Sequence, residues 1–124
     1  MNDRELVRAL NIGRMGFGVG AVLAPRRSTR AWVGPTDAAS PGARVIARAF
    51  GVRDAALAAI ALKALEDDDK RLPDILRVCA VCDAVDAAAT VIAFRHLPKA
   101  MRFMSLAMAG TAAYVGFRAA SRLA

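Results

Sequence analysis

The sequence predicts an all-α fold, a four-helix transmembrane bundle running up-down-up-down, with residues 1–124 forming one domain. Three observations predict it. Four apolar stretches, at about 6–24, 43–65, 73–94 and 98–117, each come close to the roughly 20 residues that cross a bilayer as a helix. No stretch alternates apolar and polar residues as a half-buried strand does. The chain is also built from small residues, 29 of them Ala, which let helix backbones approach closely in lipid but supply little bulk for a water-surrounded core.

The first stretch begins near Leu6 and stops at Pro25. It ends in Val22-Leu23-Ala24, but Asp3 and Glu5 dilute the basic flank a secretory signal would carry, so a retained helix is expected. Small residues recur every fourth position at Gly16, Gly20 and Ala24, a helix-packing face. The same segment matches a dinucleotide fingerprint at Gly16, Gly18 and Ala21, but that motif needs a preceding strand and none exists. The connection that follows carries Arg26, Arg27 and Arg30 and then Trp32, the pattern of an interfacial segment.

Ser40-Pro41-Gly42 breaks the chain before the second stretch. The acidic run Glu66 to Asp69, followed by Lys70 and Arg71, reads as a solvated turn. Pro73 suits the first turn of the third stretch. The short link from Arg95 to Pro98 makes the third and fourth stretches antiparallel neighbours. Basic residues tie seven to seven on the two sides, so orientation is not readable.

The charges inside these stretches are the most informative feature. Arg77 lies near an end and can extend to the interface. Arg14, Arg48, Arg53, Asp54, Asp83 and Asp86 lie deeper, three positive against three negative. An unpaired charge at mid-membrane costs about 2.5–3.5 kcal/mol even on a lenient scale, so pairing is expected. Counted from the acidic turn, Arg53 and Asp83 are each 15 residues from Asp68, and therefore level. The same counting sets Asp86 beside Arg48 and, across the first hairpin, Arg14 beside Asp54. The expected pairs are Arg53–Asp83, Arg48–Asp86 and Arg14–Asp54. With equal numbers, a polar core that fixes helix register is favoured over an ion or substrate path.

No catalytic, metal or cofactor motif is complete, so no enzyme activity, metal or cofactor is expected. Cys79 and Cys82 form a C-x-x-C about two turns inside an apolar helix, not at the exposed helix start a redox pair uses. The net charge of +7 is scattered between apolar runs, which argues against a nucleic-acid surface. The expected partners are the lipid bilayer and a second copy or another membrane protein. A soluble four-helix bundle is the architectural alternative, and it must explain Met15–Ala24 and Phe103–Phe117, which carry almost no polar face.

The segments Gly13-Arg14, Leu23-Ala24-Pro25, Trp32-Val33-Gly34 and Ala43 to Asp54, with Arg-x-x-Gly-x-Arg-Asp at Arg48–Asp54 and Asp-x-x-Asp at Asp83–Asp86, carry a resemblance. Over most of its length the chain resembles small integral membrane proteins of high-GC actinobacteria. The resemblance implies a bacterial inner-membrane protein with three or four spans and implies no activity. The expected role is an accessory or homo-oligomeric membrane protein. The alternative is a minimal transporter or ion-coupled carrier working through the Asp/Arg cluster.

Overall fold

The computed structural model describes residues 1–124 as six α-helices: α1 (Asp3–Leu23), α2 (Pro25–Val33), α3 (Pro35–Ala38), α4 (Pro41–Glu66), α5 (Leu72–Ile92) and α6 (Lys99–Arg122). A single 3-10 turn, Phe94–His96, joins α5 to α6. Their starts follow local chemistry. The Asn2 side chain accepts from the Glu5 amide while the Glu5 carboxylate accepts from the Asn2 amide, a reciprocal cap that opens α1. Ser40 caps α4 by accepting from the Ala43 amide, with Pro41 in the first turn.

The four-span transmembrane bundle does not stand. Of the six helices only α1 is long and apolar enough to cross a membrane. The physical reason is charge and small-residue dilution. Every 18-residue window of α5 contains Arg77, Asp83 and Asp86, and every such window of α4 contains Arg53, Asp54 and at least one further charge. In α6 every such window contains Arg102 or Arg118, and Gly, Ser, Thr and Tyr lower the hydropathy further. The connection at residues 25–42 is itself largely helical, formed by α2 and α3. Pro25 stops α1 and simultaneously occupies the first turn of α2, where its missing N–H costs nothing.

The four long helices assemble as two close pairs, α1 with α4 and α5 with α6. Between α1 and α4 the closest approach is at Gly18 and Gly51. A β-carbon at Gly18 would lie 2.6 Å from the Gly51 carbonyl oxygen and from the Ala55 amide nitrogen, so no side chain fits there. Between α5 and α6 the matching point is Gly116, where a β-carbon would lie 2.9 Å from the Ala80 methyl. The two pairs meet at the acidic-turn end around Val7, Leu65, Leu72, Leu76, Ala119 and Ala120. Towards the other end they diverge, and α2 lies there in contact with α1, α4 and α6.

Large and small apolar residues are distributed unevenly. Of 16 buried hydrophobic residues 11 are alanine, whereas Leu23 and Ile92 are 78% and 85% exposed, with Val45, Val85 and Phe103 also outside. Six polar or charged residues lie buried among the alanines: Asn11, Arg14, Asp54, Asp83, Thr90 and Ser105.

In the acidic turn, Asp67 pairs with Lys63, Asp68 with Arg4 and Asp69 with Arg71. Arg4 also donates to the Leu65 carbonyl at 2.6 Å, tying the start of α1 to the end of α4. Asp68 holds a positive φ of 50°, a left-handed position that Asp tolerates better than most residues.

Candidate functional site

Where the helix pairs diverge, they enclose an open cavity of about 850 Å³. Seventeen of its 27 lining residues are hydrophobic, so its walls are apolar, with Phe17, Trp32, Phe50, Met104 and Met108 contributing the bulk. The only ionisable residues lining it are Arg14, Arg53, Asp54, Asp83 and Asp86. They form one connected cluster on its wall.

The connections are specific. Arg14 on α1 donates to Asp83 on α5. Arg53 on α4 forks onto Asp86 of α5, with Nη1 to Oδ1 at 3.1 Å and Nη2 to Oδ2 at 2.6 Å. This two-point geometry is what the planar guanidinium favours with a carboxylate. Arg53 also donates to its neighbour Asp54, from Nη2 at 3.0 Å and Nε at 3.2 Å. Asp54 therefore lies between the two arginines, hydrogen-bonded to Arg53 and 4.0 Å from Arg14 Nη1. The Arg53 guanidinium sits over the Phe50 ring, 4.6 Å from its centre.

The pairing expected from hairpin depth is corrected in two places. Asp83 takes Arg14, not Arg53, and Asp86 takes Arg53, not Arg48. Arg14 and Asp54 are near one another but make no hydrogen bond. Arg48 leaves the cluster, staying exposed and donating to the Val22 carbonyl at 3.3 Å. The cluster thus holds two guanidiniums and three carboxylates, not three of each.

Burial leaves this cluster incompletely bonded. Arg14, with its side chain 5% exposed, has Nε and Nη1 buried without an acceptor. Asn11, one turn earlier, donates to the Val7 carbonyl at 2.9 Å while its buried oxygen accepts nothing. Buried polar groups in native proteins are normally paired, so these mark a site where polar demand exceeds what the chain supplies.

The packing stripe read at Gly16, Gly20 and Ala24 is not the helix contact. A β-carbon at Gly16 meets nothing within 4 Å, and one at Gly20 meets only Ser28 Oγ at 3.8 Å. Both glycines instead line a smaller hollow beside Phe17, Trp32 and Ser105. Ala24 is the residue between α1 and α2. Cys79 is buried and Cys82 half-buried, and neither is in a disulfide. No group of three or more metal-ligating side chains converges anywhere.

The aromatic walls were not read from the sequence, although a signal was present. Phe17 follows Arg14 by three residues and Phe50 precedes Arg53 by three, spacing that places each ring on the same helix face as its arginine. Trp32 packs on Phe17 with ring centres 6.2 Å apart, so it faces the cavity.

Comparison with protein-family models, curated proteins and solved structures returns no match, so the functional reading rests on the site's own geometry.

Proposed function

We propose that this chain is a non-enzymatic, membrane-associated helical protein that binds or carries a small amphiphilic molecule in the cavity between its helix pairs. The observation that carries the reading is the cavity itself: apolar walls with Asp54, Asp83 and Asp86 reaching its surface. Ligand sites are typically concave, mainly apolar and equipped with a few convergent polar groups. The unequal charge count supports binding over a purely structural core, because a core built only to fix register needs no surplus carboxylate.

Membrane association is supported by the outward large apolar side chains and by α2. That helix exposes Arg26, Arg27 and Arg30 while turning Trp32 inward, a basic face suited to anionic headgroups. The bacterial inner membrane implied by the resemblance is part of the same proposal.

A second reading, an accessory or self-associating protein, is favoured by one observation. Arg14–Asp83 and Arg53–Asp86 tie α1 and α4 to α5, so they also hold the helix pairs in register.

Trp32 is the only tryptophan and lines the cavity, so its emission reports occupancy. The purified, detergent-solubilised chain is titrated with 1-bromonaphthalene, a neutral apolar quencher. Saturable quenching is expected, with loss in Ala107→Phe, which places a ring in the cavity lining. Equal, non-saturating quenching in both proteins rejects the binding reading.

A further inference from the structure

We infer that the cavity selects a lipophilic monovalent cation, an ammonium or phosphonium centre on an apolar body. This rests on the reading of the cavity as a ligand site. The charge count makes the first argument. Asp54, Asp83 and Asp86 face only Arg14 and Arg53, and no other ionisable residue lines the cavity. Arg48, which would have balanced the set, donates to the Val22 carbonyl outside it. One formal negative charge is therefore left in apolar surroundings, where an uncompensated charge is costly.

The second argument is geometric. Asp54 Oδ2 and Asp83 Oδ1 accept no hydrogen bond, because both carboxylates use the other oxygen for arginine. Those free oxygens belong to residues lining the cavity and offer a docking point for a positive centre. The carboxylates do not converge as metal ligands, being separated by guanidiniums. A bare metal ion lacks its coordination shell there, whereas a diffuse organic cation needs none. Phe17, Trp32 and Phe50 present ring surfaces in the same cavity, and ring faces attract organic cations.

The third argument concerns Arg14, whose Nε and Nη1 are buried without acceptors. Asp54 is held off Arg14 Nη1, at 4.0 Å, by its two hydrogen bonds from Arg53. Arg53 is the more exposed of the two arginines and rests on Phe50. A cation docking at the free Asp54 Oδ2 draws that carboxylate away from Arg53, which keeps its two bonds to Asp86, and lets Asp54 Oδ1 close onto Arg14. Binding thereby satisfies a donor that the unliganded site leaves empty.

The test uses two ions of one shape and opposite charge. The full chain in detergent is dialysed against tetraphenylphosphonium and, separately, tetraphenylborate, with Trp32 emission as a second readout. The phosphonium is expected to bind at a single saturable site at least about tenfold more tightly than the borate, the scale of one nearby opposite charge. Asp54→Asn and Asp86→Asn, each checked for helicity by circular dichroism, are expected to lose about tenfold in phosphonium affinity, with Asp54→Glu retaining it. Equal or tighter borate binding overturns the cation assignment and leaves the cavity reading intact. Failure of both ions and of 1-bromonaphthalene overturns both. Unchanged phosphonium affinity in both folded asparagine variants overturns the role of the cluster.

Discussion

Gly18 and Gly51 bring the backbones of α1 and α4 so close that a β-carbon on either would fall 2.6 Å from the other's carbonyl oxygen. The obstacle is main chain, which cannot rotate away. Gly18→Ala is expected to destabilise the protein by about 1–3 kcal/mol, the usual cost of overpacking. Gly16→Ala, with nothing within 4 Å of the added carbon, is expected to be neutral or to stabilise by about 0.5–1 kcal/mol through helix propensity. Thermal unfolding of the two variants in one detergent decides between them. A Gly16 variant that melts lower than the Gly18 variant would return the helix contact to the stripe at Gly16, Gly20 and Ala24.

That contrast shows what sequence spacing can and cannot supply. A four-residue interval of small residues marks a smooth face, but Gly18 lies two residues from Gly16 and so on a different side of a helix with 3.6 residues per turn. Only the partner helix decides which face is used. The same holds for the charges. Counting from the acidic turn gives depth, and Arg14, Arg53, Asp54, Asp83 and Asp86 do lie together in one cluster. Depth is silent on azimuth, so it could not choose between two arginines for Asp83 or see that Arg48 turns outward. The all-α character was legible from the apolar runs and helix formers. The number of membrane-crossing helices was not, because the apolar runs of α4 and α5 reach span length while every span-length window in them still holds three or more charges.

Cys79 and Cys82 are three positions apart, with two residues between them, on one continuous helix, and Cys79 is 3% exposed. Mild oxidation is expected to give no disulfide between them. In native detergent-solubilised protein a maleimide is expected to label Cys82 faster than Cys79, with the two rates converging on denaturation. Mass spectrometry of the labelled peptide checks both, and a disulfide-linked Cys79–Cys82 peptide from folded protein would reopen a redox role.

Asp69 accepts from the Arg71 side chain and, at 2.9 Å, from the Arg71 amide, contacts that lower its carboxyl from 3.8 to about 2. A folded-state value below the unfolded one means the contact stabilises the turn fully above the unfolded value. That contribution is lost as pH falls from 3.8 through about 2. A carbon-detected NMR titration is expected to find Asp69 titrating in that low range. Arg71→Ala should raise its midpoint, and a midpoint unchanged by the substitution rules out Arg71 as the cause.

The exchange of partners around Asp83 is the sharpest quantitative expectation. Arg14 reaches Asp83 directly, whereas Arg53 is committed to Asp86 and Asp54. Asp83→Asn alone should destabilise, because Arg14 already lacks acceptors for two of its nitrogens and then loses its charged partner. Combining Asp83→Asn with Arg14→Leu should recover part of that loss, giving a coupling energy within the roughly 0.5–3 kcal/mol seen for residues in contact. Combining it with Arg53→Leu should show the weaker coupling, because those two side chains share no hydrogen bond and interact only through the rest of the cluster. Chemical denaturation of the four proteins in each cycle measures both terms. If the Arg53 cycle couples more strongly than the Arg14 cycle, the depth pairing is the better description of the cluster. Asp54 is then freed from Arg53, and the carboxylate available to a cation changes with it.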